Sequence, residues 1–115
     1  MKKLFVIMSI MIFAVIAYAA QKGPETIKMT EVFNVPNPTK KVVEFPHAFH
    51  QTKNECTECH MSPDGGMALK NIKTGEKLEV GKVSGIMNPV HKNFCWACHT
   101  EENVPQGKSC NKCHK

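Results

Sequence analysis

The sequence predicts a small domain with little regular structure: a few short helices, one two-stranded β-hairpin near its N-terminus, and an interior that the polypeptide does not fill alone. Three observations lead there. The aliphatic residues come singly or in short runs, such as Ile27, Val42-Val43 and Leu78-Glu79-Val80, with no sustained periodic stripe to build a core. Turn residues separate these runs, as at Asn34-Val35-Pro36-Asn37-Pro38 and Ser62-Pro63-Asp64-Gly65-Gly66. All six cysteines fall into C-x-x-C pairs, each followed directly by histidine.

The 115 residues suffice for one domain. The first 19 are set aside. Met1-Lys2-Lys3 is a basic head, Leu4 to Ile16 an apolar run broken only by Ser9, and Ala17-Tyr18-Ala19 a small-x-small ending. This is the layout of a cleavable secretory signal peptide over residues 1–19, cut after Ala19 or Ala20. The rival reading, a retained anchor, needs an apolar run of roughly 20 residues, and this one is shorter. With the leader gone, no stable membrane insertion is expected. The mature domain is 20–115.

Within it, Ile27–Phe33 and Lys41–Phe45 are strand-like runs joined by the turn residues Asn34-Val35-Pro36-Asn37-Pro38, which predicts the hairpin. Pro46 suits the first position of a helix. That helix carries His47 and His50, three apart and on one face. Ser62 to Gly66 is a turn after the first cysteine pair. Leu69 to Val80 reads as a second hairpin around Thr74-Gly75. A helix is expected from Pro89 through His91 into the second pair, and Glu101 to Ser109 reads as a loop before the third.

All 15 basic residues are lysines. Two leave with the leader, so 13 Lys face 10 Asp plus Glu in the mature chain. Secretion and the missing arginine forks argue against nucleic acid as a partner. A solvated lysine surface is the plainer reading.

The motifs are Cys56-Thr57-Glu58-Cys59-His60, Cys95-Trp96-Ala97-Cys98-His99 and Cys110-Asn111-Lys112-Cys113-His114. C-x-x-C-H is the covalent haem attachment signature. Two thiols add across the two haem vinyl groups as thioethers, and the adjacent histidine then ligates the iron from below. Six cysteines in a secreted chain also raise a disulfide framework, and C-x-x-C pairs occur in zinc sites. Neither requires a histidine after each pair, three times over. The expected cofactors are therefore three haem c groups, held by Cys56, Cys59, Cys95, Cys98, Cys110 and Cys113. Three haems bring about six propionate charges, which the lysines offset.

Six histidines are present. His60, His99 and His114 supply the proximal ligands, and His47, His50 and His91 remain for three distal positions. The count closes with none over and predicts bis-histidine iron at every haem. Methionine is the competing distal ligand and would raise the potential. Met61 adjoins His60 and cannot reach over the same ring, while Met67 and Met87 stay open on spacing alone.

The run Phe45-Pro46-His47-Ala48-Phe49-His50, the three motifs and the intervening His91 resemble the class III multihaem cytochromes, and most closely their triheme cytochrome c7 branch. The resemblance covers about Phe45 to the end of the chain. Four-haem members carry a second histidine after the first motif; here Met61 stands there and a fourth C-x-x-C is missing, consistent with loss of the same haem. The resemblance implies a small multihaem cytochrome fold with haems forming the core. It also implies the pairings His47 with His60, His50 with His99, and His91 with His114. The stretch 61–88 is longer than in compact members and reads either as a partner-selecting surface hairpin or as a passive insertion.

The functional expectation is a periplasmic electron-transfer protein of anaerobic respiration, not an enzyme, because six-coordinate iron leaves no position for a substrate. Implied partners are inner-membrane donors, hydrogenase or other cytochromes, outer-membrane cytochromes and soluble metal ions. The contrasting class, a multihaem reductase, requires a five-coordinate haem.

Overall fold

The computed structural model describes residues 23–115, so the expected leader lies outside the described residues. Strand β1, Ile27–Lys28, pairs antiparallel with β2, Glu44–Phe45, with Ile27 opposite Phe45. The N-terminal strand pair is thus present, but the expected strand Ile27–Phe33 is shorter than its composition indicates. Met29–Val32 instead forms a helical turn, α1, closed by the Phe33 N–H donating to the Met29 carbonyl at 2.9 Å. The reason is tertiary: the turn delivers Phe33 to the apolar cluster, and packing overrides the modest strand preference of Val and Thr.

Helix α2, His47–Gln51, starts just after Pro46, whose ring stands where the N–H would be unsatisfied in any case. Helix α3, Cys56–Cys59, opens on a capping box. The Glu58 carboxylate accepts the Glu55 N–H at 2.9 Å, and the Glu55 side chain accepts a backbone N–H in return.

Strands β3, His60–Ser62, and β4, Gly65–Leu69, then make a bulged hairpin around Pro63-Asp64. Its turn needs φ of +85° at Gly65 and +96° at Gly66, which glycine supplies without steric cost. The expected hairpin over Leu69–Val80 is reduced to one bridge, Lys70 opposite Lys77, flanked by hydrogen bonds from Asn71 to Glu76 and from Leu78 to Leu69.

A helix begins at Pro89 and passes through a π-helical turn, His91–Cys95, into α4, Trp96–Glu101. A 3₁₀ turn, Pro105–Lys108, precedes α5, Cys110–Cys113. Short helices and two small antiparallel strand pairs make up the fold, as expected for a small multihaem cytochrome.

The apolar cluster centres on Phe33, Leu78 and Val90, with Met29, Val32, Val35, Leu69, Val80, Val83, Phe94 and Cys95 packed around it. Among the described residues, no side chain is fully enclosed. The stretch 61–88 is therefore part of the frame and not a passive insertion. It contributes Leu78 to the cluster, and it is tied to the N-terminal unit by Val83 N–H to the Asn34 carbonyl at 2.8 Å. A second tie, Ile72 N–H to the Asn93 carbonyl at 2.8 Å, reaches the π-helical turn. Leu78→Ala is expected to lower stability by about 2–3 kcal/mol, the lower part of the range for deleting a buried leucine. Guanidinium unfolding checks this, with the visible spectrum unchanged.

Candidate haem-binding site

Each cysteine pair sits on one helical turn. In α3 and α5 the two cysteines open and close the turn, which puts both sulfurs on neighbouring positions of one face. In the second motif Cys95 ends the π-helical turn and Cys98 lies one turn on in α4. No disulfide joins any of the six cysteines. Among the described residues, no group of three or more His, Cys, Asp or Glu is gathered as a zinc site requires.

Burial pushes the Cys95 thiol up to about 12 and the Cys59 thiol up to about 11, with neighbouring Cys sulfurs adding to both. Cys98 is raised as well, by burial and then by Glu102 and Glu101. Surroundings of this kind disfavour a thiolate and accept a neutral sulfur, the form a thioether takes.

The six histidine rings come together in three pairs. His47 and His60 have ring centres 6.3 Å apart with planes at 86°. His50 and His99 are 6.2 Å apart with planes at 10°. His91 and His114 are 6.3 Å apart at 84°. These are the pairs that the family resemblance implies.

The spacing can be tested against an iron held between each pair. A histidine–metal bond is about 2.0 Å and the ring centre lies about 1.2 Å behind the ligating nitrogen, so two imidazoles on opposite sides of one metal stand roughly 6.4 Å apart. All three pairs fit. Met67 and Met87, the open competitors, are exposed at 71% and 65%, whereas every histidine is half-buried within its pair.

Five of the six rings are also fixed from behind. The Nδ1 of His47 donates to the Pro24 carbonyl at 2.9 Å, His50 to Pro46 at 2.9 Å and His60 to Gly66 at 2.7 Å. His91 donates to Ile86 at 2.6 Å and His114 to Lys41 at 2.6 Å. A proton committed at Nδ1 leaves Nε2 with its lone pair for a metal, which is the outer-shell arrangement found behind metal-binding histidines. Burial holds His50 below the usual histidine pKa, against the opposing pull of the Pro46 carbonyl, and so favours the neutral, ligating form.

Several supporting residues carry no motif. Asn88 is buried; its Oδ1 accepts the His91 N–H at 3.0 Å and its Nδ2 donates to the Gly85 carbonyl at 2.7 Å, so it caps the helix that presents His91. Trp96 lies flat on His91, with ring centres 4.6 Å apart and planes at 7°. Phe45 covers His50 at 4.2 Å. The Asn88-Pro89 pair is a readable helix start. The carbonyl acceptors have no sequence signal, since every residue owns a carbonyl.

A family model described as the class III cytochrome c family matches residues 20–115. No curated protein and no solved structure matches the chain.

Proposed function

The chain belongs to the class III cytochrome c family, and from that premise we propose that it is a triheme electron carrier of the cytochrome c7 type, working in the periplasm between redox partners of anaerobic respiration. Family membership makes it a multihaem electron-transfer protein with covalently bound haem c. The observation that supports the finer reading is the set of three imidazole pairs at 6.2–6.3 Å, each with one ring from a C-x-x-C-H motif.

On this reading Cys56 and Cys59 hold one haem between His60 and His47. Cys95 and Cys98 hold another between His99 and His50, and Cys110 and Cys113 a third between His114 and His91. Each haem, when bound, supplies a one-electron couple. The protein's own work is to fix the axial rings through their Nδ1 protons, to keep both axial positions filled, and to set the surrounding charge. With imidazole on both sides, each haem would exchange electrons through its edge and would need no bound substrate. Because α2 carries both His47 and His50, one short helix holds two of the centres at a fixed separation.

Charge is unevenly spread around the motifs. Lys40, Lys41, Lys112 and Lys115 are exposed about His114, whereas Glu55 precedes the first motif, Glu58 lies within it, where Lys70 donates to the neighbouring Thr57 carbonyl, and Glu101 and Glu102 follow the second. This favours acidic redox proteins approaching the third motif, in weak and fast complexes. Inner-membrane donors, hydrogenase or other cytochromes, outer-membrane cytochromes and soluble metal ions remain the partner classes. Among the described residues, no helix is long and apolar enough to cross a membrane.

Intact mass and visible spectra of protein exported by a cytochrome-maturing host test the reading. Three haem increments and low-spin spectra in both redox states are expected. A colourless protein, or a mass with fewer than three additions, overturns it. Reduction by an acidic partner should slow steeply as ionic strength rises, and a rate indifferent to salt removes the steering part.

A further inference from the structure

We propose that Gly107 is a positioning residue for His99, and that by lacking a side chain it makes the His50/His99 centre electronically unlike the other two. The inference rests on the triheme reading above and deepens it for one site.

Helix α4 ends in a chain reversal. Glu102 N–H donates to the Cys98 carbonyl at 2.9 Å, Asn103 takes the left-handed φ of 54°, and Val104 N–H returns to the His99 carbonyl at 2.8 Å. Asparagine at a left-handed position is a common way to end a helix. The reversal sends the 3₁₀ turn back under His99, and Gly107 N–H closes that turn on the Val104 carbonyl at 3.1 Å. Gly107 then lies directly against the His99 ring. A Cβ built on Gly107 would overlap the ring's Nδ1, Cε1 and Cγ atoms. Its φ is ordinary, so glycine is needed here for space and not for backbone conformation.

Two properties of His99 follow. Its Nδ1 is buried and, among the described residues, has no hydrogen-bond partner, while the other five histidines each donate to a carbonyl. Contact with the glycine backbone orients this ring, where hydrogen bonds orient the rest. Its plane is also within 10° of His50, against 86° and 84° in the other pairs.

Both properties reach the iron. A ring N–H bonded to a carbonyl makes the imidazole a more basic ligand, and its absence makes His99 a weaker donor. Parallel imidazoles donate into the same iron d orbital and split the d pair widely, whereas perpendicular ones donate into both and leave the pair nearly degenerate. Outer-shell bonding and ligand orientation are thus the levers here, with ligand identity unchanged.

Electron paramagnetic resonance of the oxidised, fully loaded protein tests this. One rhombic low-spin signal with all three g-values resolved is expected beside two signals of the large-gmax type. Gly107→Ala should alter or abolish the rhombic signal and shift the potential of one centre, leaving the large-gmax signals in place. Gln106→Ala, in the same turn, should leave every signal unchanged. Three signals of a single type in the wild-type protein overturn the inference while leaving the triheme reading intact. So does a rhombic signal that Gly107→Ala does not touch. A protein with no ferric haem signal overturns both.

Discussion

Exchange of all six motif cysteines for serine is expected to leave a polypeptide without a cooperative thermal transition. The buried apolar residues among those described are Phe33, Leu78, Val90 and Ala97, and none is fully enclosed. A large buried side chain contributes about 1.5–3 kcal/mol. Ordering the backbone costs about 1–2 kcal/mol for every residue, so a cluster of this size cannot hold the chain. The helices give no independent support, since α1, α3 and α5 are four residues each and isolated helices of that length are unstable in water. The proposed haems must supply most of the missing interior. Circular dichroism through a temperature ramp checks this. A sharp melt in the cysteine-free variant would show that the polypeptide folds on its own core.

The second large effect is expected at His47. Its ring stands 6.3 Å from His60 and is held by the Pro24 carbonyl at 2.9 Å. Gly23, at φ +81°, brings the chain against the same ring, so a Cβ there would meet His47 Cε1 at 3.2 Å. His47→Ala removes the proposed distal imidazole and leaves a ring-sized space opposite His60. Carbon monoxide added to the reduced variant should then shift the visible spectrum at one centre, and the potential of that centre should rise as a strong axial donor is lost. The wild-type protein should show no shift on the same timescale. A wild-type protein that binds carbon monoxide at once would carry an open iron and would restore the reductase reading.

The cysteines and motif histidines can be proposed from sequence because the C-x-x-C-H motif is local, written within five consecutive residues. His47, His50 and His91 were readable only as a count, and their partners came from family resemblance; the juxtaposition of the rings is a tertiary fact. The supporting layer was hidden, because Pro24, Pro46, Gly66, Ile86 and Lys41 act through backbone carbonyls. Gly107 was hidden for the opposite reason, since its contribution is the space left by a missing side chain.

In the fold, the two short strands at Ile27 and Glu44 followed from turn chemistry. The helical turn at Met29–Val32 did not, because Phe33 reaches residues 45 and 57 positions further along the chain, Leu78 and Val90. The frame role of 61–88 was equally obscure, for Leu69, Leu78, Val80 and Val83 follow neither a helical nor a strand period.

The hydrogen bond from His114 to the Lys41 carbonyl joins residues 73 positions apart. Contacts of that separation form only after the intervening loop has closed, and the entropy of closure is spent before any contact repays it. The third ring therefore takes its final angle late in assembly, when the two ends of the domain have met. Synthesis presents Lys41 long before His114, so the angle of the His114 ring doubles as a record that these distant parts of the chain have met.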